Sequence, residues 1–266
     1  MKEFLGFNEG MYLRTPEGYL SWQHILFVSF LMATMVALAV YLGLHFKNKE
    51  ERAKNKVLIV AAIAIDTIEL CKIVIFCIRG NDPMGWLYEL PLFLCSIQLI
   101  TIPLAAFSKG RVREAALDFV MIFGILGAVL GTIGAGQNYN AYPVLSLDNV
   151  VSGVTHSISG FASLYIMFAG MASMKRKNIG ITFAILGGFG IAAYITNRLI
   201  DYNYMFLVSG DGTPYDILYN LVSGNQIIYP ISVMALFVLY ISIYYLIFYL
   251  IQKKHEVIKE PLTHHA

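Results

Sequence analysis

The chain has 266 residues, of which 58% are hydrophobic and only 14% are charged, and its mean hydropathy is +0.65. This composition is too apolar for a water-soluble domain of this length and indicates a polytopic membrane protein. The formal net charge of +2 identifies no partner by itself. The three cysteines, Cys71, Cys77 and Cys95, all fall in apolar runs, which argues against a disulfide framework.

Seven apolar runs are long enough to cross the roughly 30 Å hydrocarbon core as helices of about 20 residues. They lie near 21–45, 57–78, 87–107, 114–135, 150–173, 179–200 and 226–251. The sequence therefore predicts an all-α bundle of about seven transmembrane helices over 21–251, with an outer segment 1–20 and a cytoplasmic tail 252–266. The first twenty residues lack a basic region before a short apolar core, so no cleaved signal peptide is expected.

The positions of the basic residues predict the orientation. Fourteen of the 19 lysines and arginines fall in the loops 46–56, 108–113 and 174–178 and in the tail. Short loops rich in lysine and arginine stay on the cytoplasmic side. The N-terminus is therefore expected outside and the C-terminus inside. These loops are interpreted as topology signals rather than as an anionic-lipid site, and no nucleic-acid binding is implied.

The stretch Glu89–Gln98, with the sequence ELPLFLCSIQ, combines a proline, a thiol and an amide within an apolar run. Proline suits the first turn of a helix, so Pro91 is expected to open the third span. Cys95 and Gln98 would then share one face about one turn below the entry. The thiol is interpreted either as a small packing residue or as a functional group.

Three ionisable residues of the second span, Asp66, Glu69 and Lys72, follow one side of the helix at three-residue steps. Each costs roughly 2.5–3.5 kcal/mol near the membrane centre, so they are expected to face the bundle interior. One interpretation is a neutralised Glu69–Lys72 pair that fastens helices together. The other is a polar cavity that binds a headgroup, an ion or a proton.

A histidine, His156, lies within the fifth span. It shares one helix face with three hydroxyl side chains, Ser152, Ser159 and Ser163. The imidazole is either part of an interhelical hydrogen bond or a general base, for which its proton affinity is suited near neutral pH. At 1.5 Å per residue, Cys95, His156 and Glu69 lie roughly 12, 9 and 13 Å below the outer helix ends, which permits a shared cavity that opens outward.

Two further features complete the candidate residues. The fourth span contains a Gly-x-x-x-Gly step at Gly127 and Gly131, which is interpreted as helix packing. The loop 201–225 holds apolar and aromatic residues that would be costly to leave in water, so it is predicted to fold back as a lid or as a cap of the helix ends. Four residues near it are candidates for substrate binding: Asn197, Arg198, Asn203 and Tyr204.

The order of these motifs resembles that of the bacterial YwaF-type integral membrane proteins. The resemblance rests on Leu-Pro-Leu-x-Leu-Cys at 90–95, on His156, and on Asn-Tyr-Met-Phe-Leu at 203–207. That family is related to a vertebrate acyltransferase that acts on ether phospholipids. The resemblance implies a lipid acyltransferase in a bacterial plasma membrane, with an acyl group passing through a cysteine. Alignment on Pro91 puts the vertebrate cysteine at Leu92, one turn from Cys95.

Two functional hypotheses follow. In the first, Cys95 is the nucleophile, His156 takes its proton, membrane lipids are the partners, and neither a cofactor nor a metal is needed. In the second, the chain is a transporter or ligand-binding protein, and Asp66, Glu69 and Lys72 line its site. Gln98, beside Cys95, is a further candidate for substrate binding. The second ranks lower because the sequence indicates neither internal repeats nor broken helices. A rhodopsin is excluded because 226–251 contains no lysine to hold retinal.

Overall fold

The computed structural model describes residues 1–9 and 11–259, and it describes side chains as far as Gln252. From position 260 onward the predicted tail 252–266 lies outside the described residues. The α-helices in the described part are α1 (Lys2–Leu5), α2 (Trp22–Phe46), α3 (Glu51–Gly80), α4 (Gln98–Phe107), α5 (Gly110–Thr132), α6 (Gly136–Ala141), α7 (Leu147–Phe168), α8 (Ile179–Ile200), α9 (Asp216–Leu221) and α10 (Ile228–Lys259). One-turn 3₁₀ helices lie at Gly85–Tyr88, Arg176–Asn178 and Tyr204–Phe206.

The predicted all-α class is confirmed for the part of the chain that the structure describes. Five of its helical stretches are long and apolar enough to cross a membrane: Trp22–Phe46, Gly110–Ala141, Leu147–Phe168, Arg176–Ile200 and Ile228–Gln252. The predicted span 57–78 lies inside the 30-residue helix α3, which is long enough to cross but carries several charged residues. The count of seven spans and the orientation of the termini stay predictions.

The prediction of a continuous third helix over 87–107 is wrong. Residues 89–97 are not helical, and α4 begins only at Gln98 and has ten residues. Ten residues rise about 15 Å, which is half of the hydrocarbon core. Cys95 therefore lies in a non-helical segment, not on the same helix face as Gln98. We refer to residues 89–97 as the interrupted segment.

Local hydrogen bonds explain why the interrupted segment does not continue as a helix. Pro91 disfavours a helical conformation at Leu90, and the Leu92 amide donates to the Leu90 carbonyl at 2.7 Å. The Phe93 amide donates to the Ser96 hydroxyl at 3.0 Å, and this hydroxyl donates back to the Phe93 carbonyl at 3.1 Å. Such side-chain bonds offer the backbone an alternative to the helix. Pro91 thus turns the chain instead of opening a helix.

The chain divides into two compact units, Met1–Ala172 and Ser173–Ala266. In the first unit, α5 is buried without interruption from Ala115 to Gly124, as expected for a helix surrounded by others. It packs against α4 and α7, and α7 also contacts α2 and α3. The α5–α7 contact is close, because a Cβ atom at Gly124 would come within 2.6 Å of the Ser159 carbonyl oxygen.

The second unit is built from α8, α10 and the connection between them. The two long helices approach closely at Gly190, where a Cβ atom would lie 2.5 Å from Met234. Nearer the other end, the Thr182 and Tyr245 hydroxyls are 3.0 Å apart. In the connection, the 3₁₀ turn Tyr204–Phe206 packs on α8.

Candidate functional site

The side chains of Cys95 and His156 lie within hydrogen-bonding reach of each other in the first unit. Cys95 comes from the interrupted segment and His156 from the middle of α7. Both side chains are partly exposed rather than sealed in the core. The structure thus brings together the two residues predicted as nucleophile and base, while their catalytic role stays a prediction.

The hydrogen bond of Nδ1 in the His156 ring fixes the tautomer of the imidazole. Nδ1 lies 2.7 Å from the backbone carbonyl oxygen of Ser152, one turn earlier in α7. A carbonyl oxygen only accepts, so Nδ1 must carry the proton of this hydrogen bond. In the neutral imidazole, Nε2 is then the unprotonated nitrogen and can accept a proton from a thiol.

The Gly-x-x-x-Gly step of α5 makes room for both residues. A Cβ atom at Gly127 would lie 3.3 Å from the Cα and Cβ atoms of Cys95. A Cβ atom at Gly131 would lie 1.9 Å from Cδ2 of His156, inside the ring's van der Waals surface. The interpretation of this step as helix packing alone is therefore incomplete, because one glycine faces the interrupted segment and the other faces the imidazole.

Lys72 forms two ion pairs at the side of this site. Its Nζ atom lies 2.6 Å from Oε1 of Glu69, the neighbour predicted from the sequence, and 2.8 Å from Oε2 of Glu89. All three side chains are at least three-quarters buried. Glu89 was not among the candidate residues, although it begins the stretch that carries Cys95. Two carboxylates and one ammonium leave one excess negative charge.

The polar residues that the sequence divided between two hypotheses belong to one cluster. Glu69 interacts electrostatically with His156, and Lys72 joins Glu69 to Glu89. We call Cys95, His156, Glu69, Lys72 and Glu89 the polar cluster. Asp66, one turn before Glu69 on α3, is half-buried and forms no hydrogen bond or ion pair with the described residues.

Gln98, the first residue of α4, lies three residues after Cys95 and is completely buried. Its Oε1 atom accepts a hydrogen bond from the Thr101 hydroxyl at 3.0 Å. Its Nε2 group has no hydrogen-bond partner among the described residues. A buried donor without a partner is uncommon and points to a ligand, a water or a catalytic role.

The other four candidate residues hold the loop of the second unit together. The Asn197 side chain donates to the Tyr204 carbonyl at 3.0 Å and accepts from its amide at 2.7 Å. Asn203 donates to the Ser209 carbonyl, and Arg198 reaches the side chain of Gln226 at 3.5 Å. Tyr204 is fully buried. These contacts explain the loop's conformation, and the predicted roles in substrate binding and as a lid stay predictions.

A second ionic cluster, which the sequence did not indicate, fastens the N-terminal segment to α3 and α7. The Arg79 guanidinium bonds both carboxylate oxygens of Asp148, at 2.8 and 3.0 Å. The Tyr12 hydroxyl donates to the same carboxylate and accepts from Arg79 at 3.1 Å. Burial, followed by the hydrogen bond to Asp148, raises the pKa of Tyr12 to about 12, so its proton stays available for this bond at neutral pH.

Among the side chains described for residues 1–9 and 11–252, no group of three or more from histidine, cysteine, aspartate or glutamate is arranged to hold a metal ion. Neither a curated protein nor a solved structure matches the chain. The sequence model of the TMEM164 family matches residues 19–251, which includes the whole polar cluster. The chain therefore belongs to the TMEM164 family and is a multi-pass membrane protein.

Proposed function

We propose that the protein is a membrane-embedded lipid acyltransferase in which Cys95 carries the acyl group and His156 transfers the proton. The observation that carries this proposal is that the two side chains lie within hydrogen-bonding reach of each other, with His156 Nδ1 held by the Ser152 carbonyl. A thiol surrounded by hydrocarbon needs an adjacent base to become a nucleophile. The resemblance to YwaF-type proteins and their ether-phospholipid relatives supports a phospholipid as the substrate class.

The reaction has two balanced steps. His156 Nε2 takes the thiol proton, and the thiolate attacks the ester carbonyl of a donor phospholipid. The ester C–O bond breaks, and the departing lysophospholipid oxygen takes the proton from the imidazolium. In the second step, an acceptor hydroxyl gives its proton to Nε2 and attacks the thioester, the C–S bond breaks, and the departing Cys95 thiolate takes the proton back from the imidazolium. The Glu69 carboxylate attracts the positive charge that His156 gains during each step.

Cys95 is the only thiol of the polar cluster, and the position aligned with the vertebrate cysteine is occupied by the buried side chain of Leu92.

The test is to incubate the purified full-length protein with a phospholipid that carries a labelled acyl chain. We expect a hydroxylamine-sensitive label on the wild type and on Cys71→Ser, whose thiol is exposed on α3. Cys95→Ala should carry none. Equal labelling of Cys95→Ala and the wild type would refute the assignment.

Gln98→Met is expected to separate stability from turnover. The substitution removes a buried amide whose donor is unpaired, so the free energy of unfolding should stay unchanged or rise. The Thr101 hydroxyl keeps the Ile97 carbonyl as its acceptor. If the amide binds the substrate, acyl transfer should fall by about tenfold or more, as is typical for a lost polar contact. The measurements are a denaturation curve and the transfer rate.

The matched control for Gln98 is Thr101→Val, which removes the hydroxyl that donates to Gln98 Oε1 but leaves the unpaired Nε2 donor in place. It should retain acyl transfer. If Gln98→Met instead loses stability and keeps full transfer, the amide serves packing alone.

A second candidate function is transport, and the interrupted segment favours it. Broken helices near the membrane midplane are typical of secondary transporters, and the sequence did not indicate one. The charged residues Glu69, Lys72 and Glu89 lie beside this break. A transporter requires that solvent reach Glu69 from both membrane faces in turn, whereas the acyltransferase requires access from one side. Solute flux into vesicles that contain the purified protein distinguishes the two.

A further inference from the structure

The two ion pairs of Lys72 connect different parts of the chain. Glu69 is one turn away on α3 itself, while Glu89 is the first residue of the interrupted segment. One ammonium therefore joins the helix whose Glu69 interacts with His156 to the segment that carries Cys95. The Lys72 side chain is 14% exposed, so water competes little for its charge.

The interrupted segment needs an anchor of this kind. A regular helix would fix the position of Cys95 through its backbone, but residues 89–97 are held internally by only a few turns, such as the Ile97 amide bond to the Phe93 carbonyl at 3.0 Å. On its other side the segment meets Gly127 of α5, which offers only backbone and no side chain to hold the cysteine. The ion pair from Lys72 to Glu89 is the charged contact between this segment and α3.

We propose that Lys72 is a positioning residue: its ion pair with Glu89 holds the interrupted segment against α3 and thereby keeps the Cys95 thiol at His156. Lys72 acts through this contact and does not touch the reacting atoms. This role differs from the substrate binding predicted from the sequence, because the Lys72 ammonium is already bound by the carboxylates of Glu69 and Glu89. The inference rests on the proposed function only for what the thiol does.

The test measures how strongly the alkylation rate of Cys95 depends on His156, which we call the coupling of the two residues. It does not require acyl transfer. In a full-length Cys71→Ser/Cys77→Ser background, Cys95 is the sole thiol of the sequence. Its alkylation by N-ethylmaleimide is followed at one fixed pH in lipid nanodiscs. We expect His156→Ala to slow alkylation by about tenfold, because the thiolate is the reactive form and its base is gone.

The same His156→Ala substitution is then made in four further backgrounds. In Lys72→Met and in Glu89→Gln, we expect it to change the rate by less than about twofold, because the thiol no longer lies at the imidazole. In Lys72→Arg the tenfold effect should return, since a guanidinium can bond both carboxylates. Lys54→Met is the matched control: this lysine is also buried on α3, but its ion pair is with Glu51 of the same helix.

Glu89→Gln serves as a second variant in case Lys72→Met does not fold, because it keeps the ion pair between Lys72 and Glu69. A full tenfold effect of His156→Ala in both Lys72→Met and Glu89→Gln would overturn the proposal. So would an absence of any His156 effect in the parent, since there would be no contact to hold. Intact coupling without acyl transfer would reject the acyltransferase and leave the positioning role standing. Acyl transfer together with an effect of His156→Ala that does not depend on Lys72 would reject the positioning role and leave the acyltransferase standing.

Discussion

Replacing Arg79 with methionine is expected to lower the free energy of unfolding by about 3–5 kcal/mol, the usual cost of breaking a buried ion pair by removing one partner. The Arg79 side chain is only 6% exposed and that of Asp148 only 17%. Loss of Arg79 leaves the Asp148 carboxylate without its bidentate partner. Tyr12 loses a hydrogen bond at the same time. Urea or thermal denaturation in detergent measures the loss, and limited proteolysis should cut within 1–20 more readily.

The control for Arg79 is Arg14→Met. Arg14 pairs with Glu17 at 3.4 Å on the surface, with nearly half of its side chain exposed, so its loss should cost no more than about 1 kcal/mol. Adding Asp148→Asn to Arg79→Met should recover part of the stability, because the uncompensated charge is removed. Equal effects of the Arg79 and Arg14 substitutions would show that the second ionic cluster does not hold the N-terminal segment.

Replacing Gly131 with alanine is expected to displace the His156 ring. The new methyl group would lie 1.9 Å from Cδ2 and 2.1 Å from Nε2, so the ring has to move. Nε2 is the nitrogen that accepts the thiol proton in the proposed mechanism. Overpacking of this kind typically costs about 1–3 kcal/mol. The alkylation rate of Cys95 should fall to the value found in His156→Ala, and acyl transfer should be lost.

Gly187→Ala in α8 is the matched control, since no atom lies within 4 Å of the added methyl group. Alanine is the better helix former by about 0.8–1 kcal/mol in a helix interior, so this variant should be as stable as the wild type or more so. If Gly131→Ala keeps wild-type Cys95 reactivity, the imidazole is not the base that activates the thiol.

The long apolar runs were enough to predict the helices that lie within them. The runs at 21–45, 114–135 and 150–173 correspond closely to α2, α5 and α7, because a stretch of apolar residues with few charges has few alternatives to a helix in hydrocarbon. The run at 87–107 failed for a local reason. Its hydropathy is that of a span, but Pro91 and the Ser96 hydroxyl supply hydrogen bonds and steric limits that hydropathy does not register.

The composition of the candidate site was only partly predictable. Helical periodicity placed Glu69 and Lys72 on one side of α3. The depth assigned to Cys95 was counted along a helix over 87–107 that the structure does not contain, so its approach to His156 did not follow from that count. Glu89 was missed because the choice of partner for Lys72 depends on a tertiary approach that one helix cannot reveal. The second ionic cluster was missed for the same reason, since Tyr12, Arg79 and Asp148 lie 67 or more positions apart and share no periodic pattern.

The interrupted segment has a consequence for how the chain is made. A newly synthesised stretch that is half helix and half irregular cannot partition into lipid alone, because each unsatisfied backbone group would cost several kcal/mol there. In the predicted seven-span topology, residues 89–107 therefore have to enter the bilayer together with α3 and α5, against which α4 packs. The histidine arrives later still, on α7. A nascent chain thus holds the thiol and its charged neighbours before it holds the base, so the assembled cluster exists only after α7 has been inserted.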